Sequence, residues 1–219
     1  HLLGFGSFEG VMNTKGELYD YLRRTSDKVF INADNPHLCR MASERNLQSD
    51  PERPYSLLIP YGLDYQKAKV LSSDAEHPFL RIEIGGRTIN TNLVGSYNAD
   101  NVMAALAVGN QFGISFEEAS AAIERYVPSN NRSQMTKTER NTLIVDAYNA
   151  NPTSMAAALD NFSNVSAERK IAMLGDMLEL GDESVNEHKS VISSALGRGL
   201  ACVYFVGDEF SKAAAEMSL

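Results

Sequence analysis

Apolar and polar positions along the chain change period several times, and each change marks an element. Residues 15–22 carry apolar side chains at helical spacing, and Lys28-Val-Phe-Ile-Asn reads as a buried strand that delivers Asn32 and Asp34 to a loop. Asn35-Pro36 opens another helix, since proline suits the first helical position, where no N–H is needed. From 55 to 94 the runs are short and β-rich: Tyr55-Ser-Leu-Leu-Ile, 79–84 and 88–94, with Gly85-Gly86 as a hairpin tip. That pattern predicts a local antiparallel patch. Gly95-Ser-Tyr-Asn then leads into an Ala-rich helix over 98–112, and Ser115-Phe-Glu-Glu has the spacing of a capping box starting a further helix that reaches 126.

Val127-Pro-Ser-Asn-Asn-Arg-Ser is polar and non-periodic, and it is the expected boundary between a first domain over 1–130 and a second over 131–219. Beyond it, the apolar runs Thr142-Leu-Ile-Val, Lys170-Ile-Ala-Met-Leu and Ala201-Cys-Val-Tyr-Phe-Val alternate with helical stretches at 152–162, 183–196 and 209–217. The expected arrangement is a β-α-β-α-β-α unit with a parallel sheet. Ligands of such sheets bind beyond the carboxyl ends of the strands, where this chain places Asp146-Ala-Tyr-Asn-Ala-Asn, Gly175-Asp-Met-Leu-Glu-Leu-Gly and Gly207-Asp-Glu.

Composition narrows the function classes. The 219 residues are 43% hydrophobic and 22% charged, the balance of a globular chain. A net charge of -8 speaks against a nucleic-acid partner, which calls for a clustered Lys/Arg face. Cys39 and Cys202 lie far apart in apolar contexts, as expected of buried thiols in the reducing cytoplasm. No apolar run is long enough to insert in a membrane. There is no initiator Met, and 212–219 read as a helix without a stop signal, so both ends are expected to be cut.

The polar residues leave alternatives open. Asp146 ends a strand and either accepts hydrogen bonds from ribose hydroxyls or serves as a turn residue; Asn149, Asn151 and Ser154 are either contacts or caps of the next helix. Asp176 and Glu179 offer two carboxylates to an ammonium group or a metal, or are solvated loop acids. His188 orients a substrate carboxylate or lies on a polar surface, the latter being the expectation from the residue alone. Arg132 suits a phosphate between two domains or is solvated, and Asn98 and Asn101 either read an adenine edge or cap a helix. His1 and Lys15 form no constellation that spacing reveals.

Taken together, Asp146-Ala-Tyr-Asn-Ala-Asn-Pro-Thr-Ser-Met, Met173-Leu-Gly-Asp-Met-Leu-Glu-Leu-Gly and His188 resemble the Mur ligase family, in its branch that adds D-alanyl-D-alanine to UDP-N-acetylmuramoyl-tripeptide. His1-Leu-Leu-Gly-Phe-Gly-Ser-Phe-Glu-Gly, Lys15-Gly-Glu and Gly95-Ser-Tyr-Asn-Ala-Asp-Asn-Val-Met-Ala-Ala-Leu resemble the central domain of the same family. The resemblance implies an α/β fold in which part of a P-loop-type central domain precedes part of a Rossmann-like carboxy-terminal domain. It implies an ATP- and Mg2+-dependent ligase of peptidoglycan synthesis that forms a C–N bond through an acyl phosphate and works as a monomer. By matching position, Lys15 resembles the lysine that the family carbamylates to help place Mg2+, and His1 a metal-site histidine. Asn98 and Asn101 match adenine-side residues, Arg132 a phosphate arginine and Asp146 the ribose acid. Asn149, Asn151, Ser154, Asp176, Met177, Glu179 and His188 fall on the substrate side, the last four at its D-Ala-D-Ala end.

Two departures stand out. No Gly-x-x-x-x-Gly-Lys-Ser/Thr occurs in these 219 residues, so a polypeptide limited to them is expected to be inactive; and Tyr97 stands where many members have His. The rivals are a folylpolyglutamate synthase relative, which the Gly-Asp-Met-Leu-Glu-Leu-Gly string opposes, and a non-catalytic Rossmann-like binding module. A dinucleotide oxidoreductase is discarded, since no Gly-x-Gly-x-x-Gly follows any of the three carboxy-terminal strands.

Overall fold

A computed structural model describes residues 2–25, 28–47, 58–72, 77–129, 134–147 and 149–219. The first half runs α1 (Leu2–Phe5), α2 (Phe8–Thr25), β1 (Val29–Asn32), α3 (Pro36–Glu44), β2 (Leu58–Tyr61), β3 (Lys69–Leu71), β4 (Arg81–Ile84), β5 (Arg87–Asn90), a 3-10 turn at Ser96–Asn98, α4 (Ala99–Gln111) and α5 (Phe116–Arg125). The second runs β6 (Gln134–Lys137), β7 (Thr142–Val145), α6 (Pro152–Asn164), β8 (Ile171–Gly175), a 3-10 turn at Gly181–Glu183, α7 (Ser184–Leu196), β9 (Cys202–Val206) and α8 (Asp208–Glu216). The chain is α/β throughout.

Local chemistry explains most starts. Asn35 accepts from the His37 and Leu38 N–H groups and Pro36 follows, so α3 begins where a cap and a proline coincide. Ser115 and Glu118 exchange bonds in a complete capping box on α5. Gly85 and Gly86 both have positive φ, which the two-residue turn joining antiparallel β4 and β5 requires.

Two pairings differ from the sequence reading. The run ending at Ile59 does not join the antiparallel patch: β2 pairs in parallel with β1, with α3 as the crossover, and residues 51–57 lie outside the described set. β1 is almost wholly buried, as a parallel strand covered on both faces should be. β7 is not the first strand of a three-stranded parallel sheet either. It pairs antiparallel with β6, through a loop over 138–141 that Thr138 ties to Asn141, while β8 and β9 form the parallel pair. The polar sequence Gln134-Met-Thr-Lys gave no periodic signal for β6.

The patch residues Leu80, Ile82 and Ile89 pack with Val102, Met103 and Leu106 of α4, and this core presents the start of α4 at one side. In the second half, Leu159, Met177, Leu180, Ile192 and Phe210 are buried together between the helices and the inner face of β8–β9. Cys39 and Cys202, expected to be buried, are half-exposed free thiols, Cys39 donating to the Ala33 carbonyl. No described helix is long and apolar enough to cross a membrane.

Candidate functional site

Gly95, at φ 94, turns the chain out of the β patch into the 3-10 turn that precedes α4. The side chain of Asn98 does not cap that helix: it turns back, its Nδ2 donating to the Val94 carbonyl at 2.9 Å. Asn101, one turn along, donates to Asn98 Oδ1 at 3.1 Å and stands exposed. The capping alternative for Asn98 is therefore set aside, and the two amides share one face.

Tyr97 connects this face to the second half of the chain. Its hydroxyl donates to Asp146 Oδ2 at 3.0 Å, where β7 gives way to the loop before α6. The turn that carries Asn98 and Asn101 is thus tied to Asp146, some fifty residues on in the sequence, by a residue that the sequence marked only as a departure. Amides and a carboxylate are the hydrogen-bonding groups a nucleoside calls for: amides to donate to and accept from a base edge, a carboxylate to accept from ribose hydroxyls.

Further along the same connection, at the start of α6, capping dominates. Asn151 Oδ1 accepts from the Ser154 N–H at 2.9 Å, Ser154 Oγ accepts from the Asn151 N–H at 3.1 Å, and Pro152 fills the first turn. Asn149 accepts from the Ala150 N–H at 2.9 Å.

The loop after β8 is organised from beneath. His188, expected on a surface, is fully buried on α7 against the edge of Phe210. The backbone N–H of Met177 donates to its Nε2 at 3.0 Å, and a backbone N–H can only donate. Nε2 therefore carries the lone pair, and the proton sits on Nδ1, which faces the Ser184 carbonyl at 2.7 Å. Both ring nitrogens are occupied by this chain's own backbone, so His188 holds the loop and does not present a nitrogen to solvent. Met177 is buried beside it, whereas Leu178 and Glu179 project outward, Glu179 at φ 63.

Asp176 also turns inward. Its carboxylate accepts from the N–H groups of Glu209 at 3.0 Å and Phe210 at 2.9 Å, capping α8 from the neighbouring strand. Glu209 in turn accepts from Lys212 and from the Ser184 hydroxyl, each at 2.5 Å, and the Lys212 bond first, then Ser184, holds its carboxyl below the usual carboxylate range. Between Gly175 and Gly181, Glu179 is the exposed carboxylate.

The remaining expected residues are not brought into either cluster. His1 and Arg132 lie outside the described residues. Lys15 is exposed on α2, and among the described residues no three His, Cys, Asp or Glu side chains stand close enough to hold a metal ion. Sequence reasoning missed Ser184 and Glu209 and marked Tyr97 only as a departure from the family pattern, without its link to Asp146. A glycine two residues before an aromatic at a strand-to-helix turn was the available signal for Tyr97.

Two family models match the chain: the Mur ligase middle domain over residues 1–109 and the glutamate ligase domain of Mur ligases over 131–218. The UDP-N-acetylmuramoyl-tripeptide--D-alanyl-D-alanine ligase of Treponema pallidum is 38% identical over 175 residues, 77% of this chain and 38% of that protein. Its counterpart in Bacillus subtilis is 33% identical over 191 residues, 86% of this chain and 40% of that one. The chain thus spans about two fifths of the length of these relatives. Among solved structures, MurF of Acinetobacter baumannii superposes with a TM-score of 0.78 at 22% identity, over 99% of this chain and 46% of that one. MurF of Thermotoga maritima in complex with ADP gives 0.73 at 19% identity, over 96% and 47%. At these identities the structures establish a shared fold.

Proposed function

The chain belongs to the Mur ligase family, and from that premise we propose that it is the middle and carboxy-terminal part of a ligase that joins D-alanyl-D-alanine to UDP-N-acetylmuramoyl-tripeptide at the expense of ATP. The observation that supports this reading is the Tyr97–Asp146 hydrogen bond, which ties the turn bearing Asn98 and Asn101 to the second half of the chain, in a chain 38% identical to a ligase of that specificity. In this reading Asn98 and Asn101 face adenine and Asp146 the ribose. Arg132, in the segment joining the two parts, serves phosphate, and a carbamylated Lys15 with His1 serves Mg2+. ATP supplies a phosphoryl group that turns an unreactive carboxylate into an acyl phosphate; the amine of D-alanyl-D-alanine attacks the acyl carbon, and phosphate leaves.

The acceptor end of the site is the loop after β8. His188 and Asp176 fix its base, and Glu179 stands where an ammonium group can be met. Asn149, Asn151 and Ser154 shape the neighbouring helix start and support the substrate side through that backbone.

The test is ADP release by the protein at its full encoded length. Release is expected only when UDP-N-acetylmuramoyl-tripeptide and D-alanyl-D-alanine are both present, and a polypeptide of these 219 residues alone, without a phosphate loop, is expected to release none. Release that depends on glutamate and a folate instead would overturn the assignment of substrate.

A further inference from the structure

We propose that Tyr97 is the positioning residue of the nucleoside subsite: its hydroxyl, reaching across from the first half of the chain, holds the Asp146 carboxylate in the orientation that receives the ribose hydroxyls. The inference rests on the reading of Asp146 as the ribose acid given above, and it goes beyond that reading by naming what orients the acid.

Asp146 is exposed, at the exit of a strand whose hydrogen-bonded partner is the short hairpin strand β6. An exposed aspartate in such a loop samples several rotamers, and a ligand that needs one of them must first remove that freedom. The 3.0 Å bond from Tyr97 to Oδ2 removes it in advance. Tyr97 can do so because its own ring is fixed. It lies half-buried against the backbone of Gly95, where an added Cβ would come within 2.3 Å of the ring. The next residue along, Asn98, is anchored to Val94 and holds Asn101, so one short turn sets both the base-edge amides and, through Tyr97, the ribose acid.

The arrangement has a second consequence. Asp146 belongs to the carboxy-terminal part and Tyr97 to the middle part, so this bond to the ribose acid forms while the two parts sit in register. Nucleoside affinity and registration of the two parts become one equilibrium, each strengthening the other.

The experiment is nucleotide binding by calorimetry, in the protein at its full encoded length, with ADP and 2',3'-dideoxy-ADP as the pair of probes. Wild type is expected to favour ADP by about tenfold or more, because a site built to pair with hydroxyls rejects the analogue that lacks them. D146A and Y97F are each expected to narrow that ratio to within about threefold, and D146A/Y97F to narrow it no further than D146A does. Phenylalanine keeps the ring and its packing on Gly95, so the thermal midpoint of Y97F is expected to stay near wild type. If wild type does not distinguish the two nucleotides, the ribose reading of Asp146 falls and the role of Tyr97 with it. If D146A abolishes discrimination while Y97F retains it, Asp146 stands and the proposal for Tyr97 is overturned. An equal loss of both nucleotides in Y97F also overturns it, since that marks a general structural role.

Discussion

His188 shows how a single buried polar group can set a loop. Its Nε2 is the partner of a buried backbone N–H, and the pair sits at the point where β8 hands over to the loop exposing Leu178 and Glu179. H188A would leave the Met177 N–H unsatisfied and open a cavity next to Phe210; the two effects together predict a loss of roughly 3–5 kcal/mol in denaturant unfolding. H188Q keeps an acceptor within reach and is expected to recover about 1 kcal/mol or more of that loss. Equal destabilisation by the two variants would show that ring packing, not the hydrogen bond, is what matters. The local pattern around this residue did not place it in the core. A histidine in a helix with polar neighbours Glu187 and Lys189 reads as surface, and only the tertiary contact with Met177, eleven residues back in the chain, reverses that reading.

The same construction recurs at the ends of both parallel strand pairs. After β1, the Asp34 carboxylate accepts from the Asp64 and Tyr65 N–H groups in the loop that follows β2; after β8, the Asp176 carboxylate accepts from two N–H groups at the start of α8, which follows β9. In each case the strand exit opposite is a glycine with positive φ, Gly62 or Gly207, on which an added Cβ would fall within 2.4 Å of the aspartate side chain. An acid just past one strand and a glycine just past its neighbour thus lock two loops together where open α/β sheets bind ligands. G207A combines a disfavoured backbone with a clash against Asp176, and a loss of roughly 2–5 kcal/mol is expected in thermal or denaturant unfolding. Gly197, at negative φ with its nearest contact 3.4 Å away, serves as the control and should accept alanine with little change. What the sequence made legible here was the elements: the caps at Asn35 and Ser115 and the glycine pair of the β4–β5 hairpin carry their own local reasons. Pairing was less legible, because β2 is chosen by β1 across a helix and β7 by a polar partner without periodicity, and neither choice is written in local pattern.

Over the whole molecule the two faces of the β8–β9 sheet are unequal in a way that sequence periodicity alone did not reveal. Ala172, Leu174, Val203 and Phe205 point into the core with Phe210 and Ile192, whereas Ile171, Met173, Tyr204 and Val206 lie on the opposite face. Met173 is 75% exposed and is paired across the strands with Tyr204, itself 51% exposed. Both faces are apolar because parallel strands are ordinarily covered on both sides, so the run Ile-Ala-Met-Leu is continuous where a half-exposed strand would alternate. A polypeptide of these 219 residues therefore presents a contiguous apolar patch, and water is driven from such a patch most readily by contact with a second one. The expected behaviour is concentration-dependent self-association in sedimentation equilibrium, reduced by M173K and more strongly by M173K/Y204K. Lysine at either position meets solvent, so the substitutions should leave the unfolding midpoint nearly unchanged while the mean mass falls toward that of one chain. A single-chain mass at every concentration would show that the patch is too small or too well hydrated to drive association. Association that persists in M173K/Y204K would move the sticky surface elsewhere, and the exposed pair Phe112 and Ile114 at the end of α4 would be the next to substitute.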